Sequence, residues 1–323
     1  MNITYISVGG LTMHKIAYLF PGQGAQIVGM GRDIYETSPT ARQFFDQANN
    51  LLDFDLKTLI FQGPLEKLSK TEYTQPALLV VEIMLLKALA EAGLQPDMVA
   101  GLSLGEYSAL VASGALDPLT AVKLISKRAN IMASALPAGT TTMAAILGLE
   151  SNILATICKK VKGNETVEIA NYNCPGQLII GGHLNAVAEA GRLALEAGAR
   201  KIMPLKVSGA FHTTLLKTAS HDLRKELEQI NFNNIEIPVV FNKTANRQDK
   251  PIIDLLAAQL YSPVRFQETI EYMIKEGVNT FIEVGPGKVL SGFVKKIDRK
   301  LVTYQIEDAE SLVRLTSELK LNS

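Results

Sequence analysis

Gly101-Leu102-Ser103-Leu104-Gly105 constrains this chain more than any other stretch. The pattern G-x-S-x-G is that of a nucleophile elbow, a strained strand-to-helix turn that lifts a serine oxygen clear of the backbone. Glycine on either side leaves room for close approach where a side chain would clash. Five such residues also make an ordinary small-residue turn, so the flanks must supply the context. Upstream, Met98-Val99-Ala100 is short and apolar, like the end of a buried strand. Downstream, Glu106 to Ala112 reads as a helix that stops near Gly114. Strand, tight turn and helix occur in the order an elbow needs.

The chain around this turn has 323 residues, room for one large domain or a domain with an insertion. Apolar residues make up 47% of it, and the formal charge is zero. A balanced charge argues against nucleic acid or an anionic membrane as the main partner. Two basic runs, Lys159-Lys160-Val161-Lys162 and Lys295-Lys296-Ile297-Asp298-Arg299-Lys300, read as solvated faces that an acidic protein could use. Cys158 and Cys174 lie in unrelated contexts without metal-ligand spacing, which fits a reduced, cytoplasmic protein. No run reaches the roughly 18 uninterrupted apolar residues of a bilayer span. The most apolar stretch, Pro76 to Ala90, is interrupted by Glu82 and Lys87 and reads as a buried helix. Residues 1–12 show no signal-peptide pattern and read as a dispensable leader ahead of Met13.

Strand-like and helical runs alternate throughout, predicting an α/β protein with a parallel sheet. A first strand at 15–20 leads into Pro21-Gly22-Gln23-Gly24-Ala25-Gln26, and helices are expected near 39–52, 64–68, 76–93, 105–113 and 118–135. Thr140 to Val207 reads differently: strand 143–148, helix 152–161, strands 166–170 and 178–181, helix 184–197, strand 201–207. That β-α-β-β-α-β order is a ferredoxin-like unit, expected to be inserted into the larger domain. Beyond it come helices at 214–229, 252–260, 265–275 and 288–297, with strands at 237–241 and 279–284.

A serine hydroxyl needs a base to take its proton. Four histidines are available. His14 precedes the serine, whereas the base usually follows it in this architecture. His183 opens a helix of the small unit, where capping or packing is expected, and His221 falls among Ser220, Asp222 and Arg224 on a polar helix face. His212 stands in the loop Ser208-Gly209-Ala210-Phe211-His212-Thr213 beyond a strand, where α/β active sites form. His212 is therefore the candidate and His221 its rival.

Negative charge developing on an acyl oxygen needs preorganised N–H donors, one from the residue after the nucleophile, Leu104, and one from a loop after an early strand. Gly22-Gln23-Gly24 is such a loop, or else a plain tight turn. It fits neither nucleotide pattern. Ile27 occupies the third glycine position of G-x-G-x-x-G, and Met30 occupies the lysine position of the phosphate loop. Arg128 ends Leu124-Ile125-Ser126-Lys127-Arg128 and, by residue type alone, reads as a surface charge. A guanidinium can also grip a carboxylate through two parallel hydrogen bonds. Paired acids for glycoside chemistry, metal-binding clusters and aromatic-basic patches are not evident.

Six stretches in order resemble the malonyl-CoA:acyl-carrier-protein transacylase family, the acyltransferases of fatty acid and polyketide synthesis. They are Phe20 to Gln26, Tyr73-Thr74-Gln75-Pro76-Ala77-Leu78, Gly101 to Leu110, Asn173-Cys174-Pro175-Gly176-Gln177, Gly209-Ala210-Phe211-His212 and Glu283-Val284-Gly285-Pro286-Gly287-Lys288. The resemblance runs from about Met13 to Lys300. It implies a hydrolase-like parallel-sheet catalytic domain over 13–139 and 208–323, with a ferredoxin-like insert at 140–207. It implies Ser103 as the acylated residue, His212 as its base, and the Gln23 and Leu104 N–H groups as the oxyanion hole. Arg128 would hold the free malonyl carboxylate, and a backbone carbonyl near Gln259 would orient the histidine in place of an acid. Phe211 would crowd an α-methyl group and favour malonyl over methylmalonyl. Substrate and partner would be malonyl-CoA and acyl carrier protein, without a cofactor or metal. Leu102 and Cys174 depart from the commoner histidine and serine, and could tune substrate choice. A stand-alone acyltransferase or acyl hydrolase serving a polyketide synthase shares these motifs, although the hydrolases tend to lack the arginine. A non-catalytic scaffold is the reading from another class, and intact Ser103, His212 and Arg128 speak against it.

Overall fold

The computed structural model describes residues 15–161 and 165–321. The leader expected at 1–12, Met13 and His14 lie outside the described residues. The first strand, β1 (Lys15–Phe20), is followed by α1 (Arg32–Thr37), α2 (Pro39–Leu51), α3 (Leu56–Gln62), α4 (Leu65–Leu68) and α5 (Thr71–Glu91). Then come β2 (Met98–Gly101), α6 (Gly105–Ala112) and α7 (Pro118–Ser134). A second group comprises β3 (Thr141–Leu147), α8 (Ser151–Lys160), β4 (Val167–Cys174), β5 (Gln177–His183), α9 (Leu184–Glu196) and β6 (Lys201–Pro204). The chain finishes with α10 (Lys217–Leu227), α11 (Ile252–Gln259), α12 (Phe266–Lys275), β7 (Val278–Val284), α13 (Val289–Ile297), β8 (Val302–Ile306) and α14 (Ala309–Leu321).

Two four-stranded sheets result. One has the order β2-β1-β7-β8 and is parallel throughout. Parallel strands need crossover connections, and helices on both faces bury them. Ala17 and Leu19 accordingly pack with Met98, Phe281 and Phe293, while Tyr18 and Phe20 point into the larger core with α5 and α6. The other sheet has the order β4-β5-β3-β6 and is antiparallel. Its faces divide by the two-residue period of a strand. Ala144, Ile146 and Ile180 pack under α8 and α9, whereas Met143, Ala145 and Ile179 join the core of the parallel-sheet body.

The strand expected at 237–241 is only an isolated parallel bridge, Val99 to Val239, along the free edge of β2. Pro238 has no N–H to give a ladder, and Ala245 at φ 50° helps curl the chain back so that Phe241 bridges Asn246. The helix expected from residue 76 starts at Thr71, with Pro76 in its second turn, where the proline forfeits one backbone bond. This 21-residue helix is long and apolar enough to cross a membrane, but 78% of its apolar window is buried inside the protein. The strand expected at 201–207 ends at Pro204. The catalytic domain is expected to run to 323 but with no strand or helix after 297, yet β8 forms one edge of the parallel sheet and α14 follows it.

Candidate active site

The parallel strand β2 ends at Gly101 and α6 begins at Gly105, so Leu102, Ser103 and Leu104 make the whole turn. Ser103 adopts φ 56°, a left-handed conformation that costs a residue other than glycine about 1–3 kcal/mol. The turn after β1 presses directly on this elbow. A Cβ on Gly105 would lie 2.2 Å from the Phe20 carbonyl oxygen, and one on Gly22 would lie 2.6 Å from that of Leu102. The Leu102 N–H donates to Phe20 O at 2.9 Å. Ser103 itself stays half-buried, within reach of a substrate.

His212, also at positive φ (60°), comes from the loop between β6 and α10. Its Nε2 lies 2.7 Å from Ser103 Oγ, and its Nδ1 lies 2.9 Å from the Gln259 carbonyl oxygen. A carbonyl only accepts, so Nδ1 carries the proton and Nε2 is left as a base facing the serine. The His212 backbone N–H donates to Leu260 O at 3.0 Å, pinning the loop to the end of α11. Burial, and next the nearby Arg128 charge, lower the imidazole to about 4, opposed by the Gln259 and Ser262 backbones. The ring is therefore neutral at pH 7, as a base must be.

Arg128 is not a surface charge. It is fully buried on α7, and burial pulls its guanidinium below the ordinary value. Nη1 donates to Gln75 Oε1 at 2.6 Å, and Nη2 reaches Gln259 Oε1 at 2.9 Å and Ser103 Oγ at 3.2 Å. Its charge also lies over the Tyr107 ring, 5.2 Å from the centroid. Among the described residues Arg128 makes no ion pair, and its Nε has no partner. The acid whose field it feels is Glu106, which burial pushes up to about 8 and which is therefore mostly protonated at neutral pH. A buried cation left unpaired is costly, and an anionic ligand would offset that cost.

Leu104 ends the elbow turn and Gln23 lies in the turn after β1, and among the described residues neither backbone N–H is taken by a protein acceptor. The Gln23 side chain donates to Thr71 Oγ1 at 3.1 Å, and that hydroxyl lies 2.9 Å from Ser208 Oγ on the His212 loop. Phe211 is buried in the main core beside His212. His183 opens α9, where its Nδ1 accepts the Thr166 N–H at 2.9 Å, and His221 is exposed on α10, so neither meets Ser103. Cys174 packs among Val264, Phe266 and Phe293, and Leu102 packs against that same cluster. A broad groove lined by Arg200, Lys295, Lys296 and Arg299 contains none of the site residues.

Sequence reasoning gave no role to Gln75 or Glu106, although both stand in quoted stretches, and it did not single out Asn242. Asn242 Oδ1 accepts the Ser103 N–H at 2.7 Å, and its own N–H donates to Glu106 Oε2 at 2.5 Å. The only signal for Asn242 was a polar residue just past the apolar run Val239-Val240-Phe241.

Comparison with known proteins agrees with this geometry. Residues 17–321 match the acyl transferase domain family. The malonyl CoA-acyl carrier protein transacylase of Bacillus subtilis (strain 168) is 47% identical over 312 residues, 95% of this chain and 98% of that protein. The crystal structure of MCAT from Streptococcus pneumoniae superposes with a TM-score of 0.90 at 48% identity, covering 94% of this chain and all (100%) of the other. A malonyl-transacylase solved in complex with a type II PKS acyl-carrier protein, PlMCAT:AntF, gives 0.91 at 39% identity over 94% and 99% of the two chains. An elbow serine, a neutral histidine and a buried arginine thus meet in a chain that belongs to the acyl transferase domain family, alongside the malonyl CoA-acyl carrier protein transacylases.

Proposed function

We propose that this protein moves a malonyl group from coenzyme A to the phosphopantetheine thiol of an acyl carrier protein through a malonyl ester on Ser103, in fatty acid biosynthesis. Ser103 Oγ attacks the thioester carbonyl while His212 Nε2 takes its proton. The carbonyl oxygen, now negative, sits against the Gln23 and Leu104 N–H groups. Collapse expels the CoA thiolate, which takes the proton back from His212. The carrier thiol then repeats the cycle in reverse: His212 takes its proton, the thiolate attacks the ester, and the proton returns to Ser103. Two large carriers thereby use one small site in turn.

The observation that carries this reading is Arg128, a fully buried guanidinium without an ion-pair partner among the described residues, 3.2 Å from the nucleophile. An acyl group ending in a carboxylate supplies the missing anion, and malonyl is the acyl group named by the relatives. Phe211, beside His212, crowds an α-methyl substituent and so favours malonyl over methylmalonyl. In the finer architecture, residues 13–139 and 208–323 form a hydrolase-like catalytic domain, and 140–207 form a ferredoxin-like insert. The protein is cytoplasmic and works without a bound cofactor.

Intact-mass measurement after mixing with malonyl-CoA alone should show a malonyl adduct that Ser103→Ala lacks and that carrier protein removes. A Ser103→Ala protein transferring malonyl at near wild-type rate would refute the ester. Because one relative was solved with a type II PKS carrier, carriers from both pathways belong in the assay. Transfer to the polyketide carrier alone would move the protein to that pathway.

A further inference from the structure

Asn242 is 1% exposed and turns both polar atoms of its side chain to the elbow. Oδ1 accepts the Ser103 N–H at 2.7 Å, and Nδ2 donates to Gly101 O at 2.6 Å. Its backbone N–H donates to Glu106 Oε2 at 2.5 Å, and its carbonyl accepts the Arg265 N–H at 3.0 Å. Gly101 O and Ser103 N belong to the two peptide groups on either side of Leu102. One side chain therefore fixes the two successive peptide planes that lead into Ser103. The following peptide is fixed too, because Gln259 Nε2 donates to Ser103 O at 2.9 Å. Glu106, on the first turn of α6, anchors Asn242 to the helix that the elbow opens.

We propose that Asn242 is a positioning residue for acyl transfer: it clamps the left-handed Ser103 turn so that Oγ meets His212 Nε2 at hydrogen-bond distance. The clamp also occupies the Ser103 N–H, which leaves the Leu104 N–H as the elbow's donor to the acyl oxygen. Asn242 touches neither substrate nor His212, so its effect is on the rate of the serine and not on the grip on malonyl. The proposal rests on the transacylase reading of the same site.

The test compares Asn242→Ala, Asn242→Asp and, as a control for stability, Ile146→Ala, which lies under α8 and α9 in the core of the antiparallel sheet. Acylation of Ser103 is followed by intact mass at saturating malonyl-CoA, and Ser103 reactivity by labelling with a fluorophosphonate. Asn242→Ala should slow both by about a hundredfold, the scale of a roughly 1 Å misplacement. KM for malonyl-CoA and the preference over acetyl-CoA should stay within about threefold of wild type, since Arg128 is untouched. Asn242→Asp keeps an acceptor for the Ser103 N–H but loses the donor to Gly101, and should recover part of the rate. Ile146→Ala should lose melting temperature and keep the rate. An Asn242→Ala protein within about threefold of wild type, or no slower than Ile146→Ala at equal loss of melting temperature, would overturn the proposal. If Asn242→Ala does not fold, Asn242→Asp decides by the same comparison. If wild type takes up no malonyl, the transacylase reading fails while fluorophosphonate labelling still decides the clamp.

Discussion

Arg128 occupies the buried side of α7 with Ala121, Val122, Leu124, Ile125, Ala129 and Met132. That face was legible in the sequence, because 121, 125, 128 and 132 follow the helical period. Residue type overrode the period, since arginine is almost never fully buried unless paired. In the proposed function the pairing group is the malonyl carboxylate. Losing one partner of a desolvated charge pair costs roughly 2–5 kcal/mol. Arg128→Ala should therefore reduce malonyl transfer by well over tenfold, at about 1.4 kcal/mol per decade, and leave acetyl transfer unchanged or improved. Arg128→Lys keeps the charge without the fork and should recover only part of the loss. Equal losses with both acyl groups in a steady-state comparison would make Arg128 a structural residue. His212 offers a second check. It is lowered from an ordinary 6.5 to about 4, so acylation of Ser103 should stay level from pH 7 to pH 5. A rate halving near 6.5 would show a histidine that charges as in water. The same shift means that the folded state binds fewer protons than the unfolded chain between those values, so stability from His212 grows with pH across that window. Glu106, raised from 4.5 to about 8, acts with the opposite sign: its contribution falls as pH rises through its own window.

Among the elements, those with a strong local pattern were legible and those made by tertiary pairing were not. The elbow strand, its helix and the β-α-β-β-α-β order all announce themselves through apolar period and glycine. The segment at 237–241 looks like a strand because Val239, Val240 and Phe241 are apolar, but whether it pairs depends on Pro238 and on the curl at Ala245. Asn242 acquires its role only through the bridge of Val239 to Val99, which brings it beside Ser103, 139 positions earlier in the chain. The glycines give a paired prediction at this scale. Gly105→Ala would place a methyl 2.2 Å from Phe20 O and 2.7 Å from Pro21 O, both backbone atoms that cannot swing aside. Expression and thermal melting should show a protein that is severely destabilised, with no acylation in what remains folded. Gly292→Ala, within α13, meets nothing within 4 Å. It should stabilise the protein by about 0.5–1 kcal/mol in urea unfolding without changing the acylation rate. Should Gly105→Ala melt and acylate like wild type, the close packing of the turn after β1 on the elbow would be wrong.

At the scale of the whole molecule, the site depends on both sheets. Beyond Gln259, the chain runs along the edge of the antiparallel sheet: the Tyr172 N–H donates to Val264 O at 2.8 Å, and the Val264 N–H donates to Ala170 O at 2.9 Å. The segment that orients His212 through the Gln259 carbonyl is thus tied to β4 a few residues later. The inner face of the antiparallel sheet, with Met143, Ala145 and Ile179, belongs to the same continuous core as Tyr107, Leu110 and Phe211. Alternation along β3 and β5 gives the sheet two apolar faces, but no local pattern says which body covers the second face. A shared core makes independent melting of the two sheets costly, because loss of either would bare apolar surface on the other. Calorimetry should therefore show one cooperative transition whose calorimetric and van't Hoff enthalpies agree. Ile146→Ala removes a fully buried side chain from the outer core, where it pairs across to Leu178 and Ile202. It should cost about 2–5 kcal/mol and lower the melting temperature of the whole transition, not split it. Two resolved transitions in wild type, or a new low-temperature transition in Ile146→Ala alone, would mean that the sheets melt separately and that the shared face contributes little.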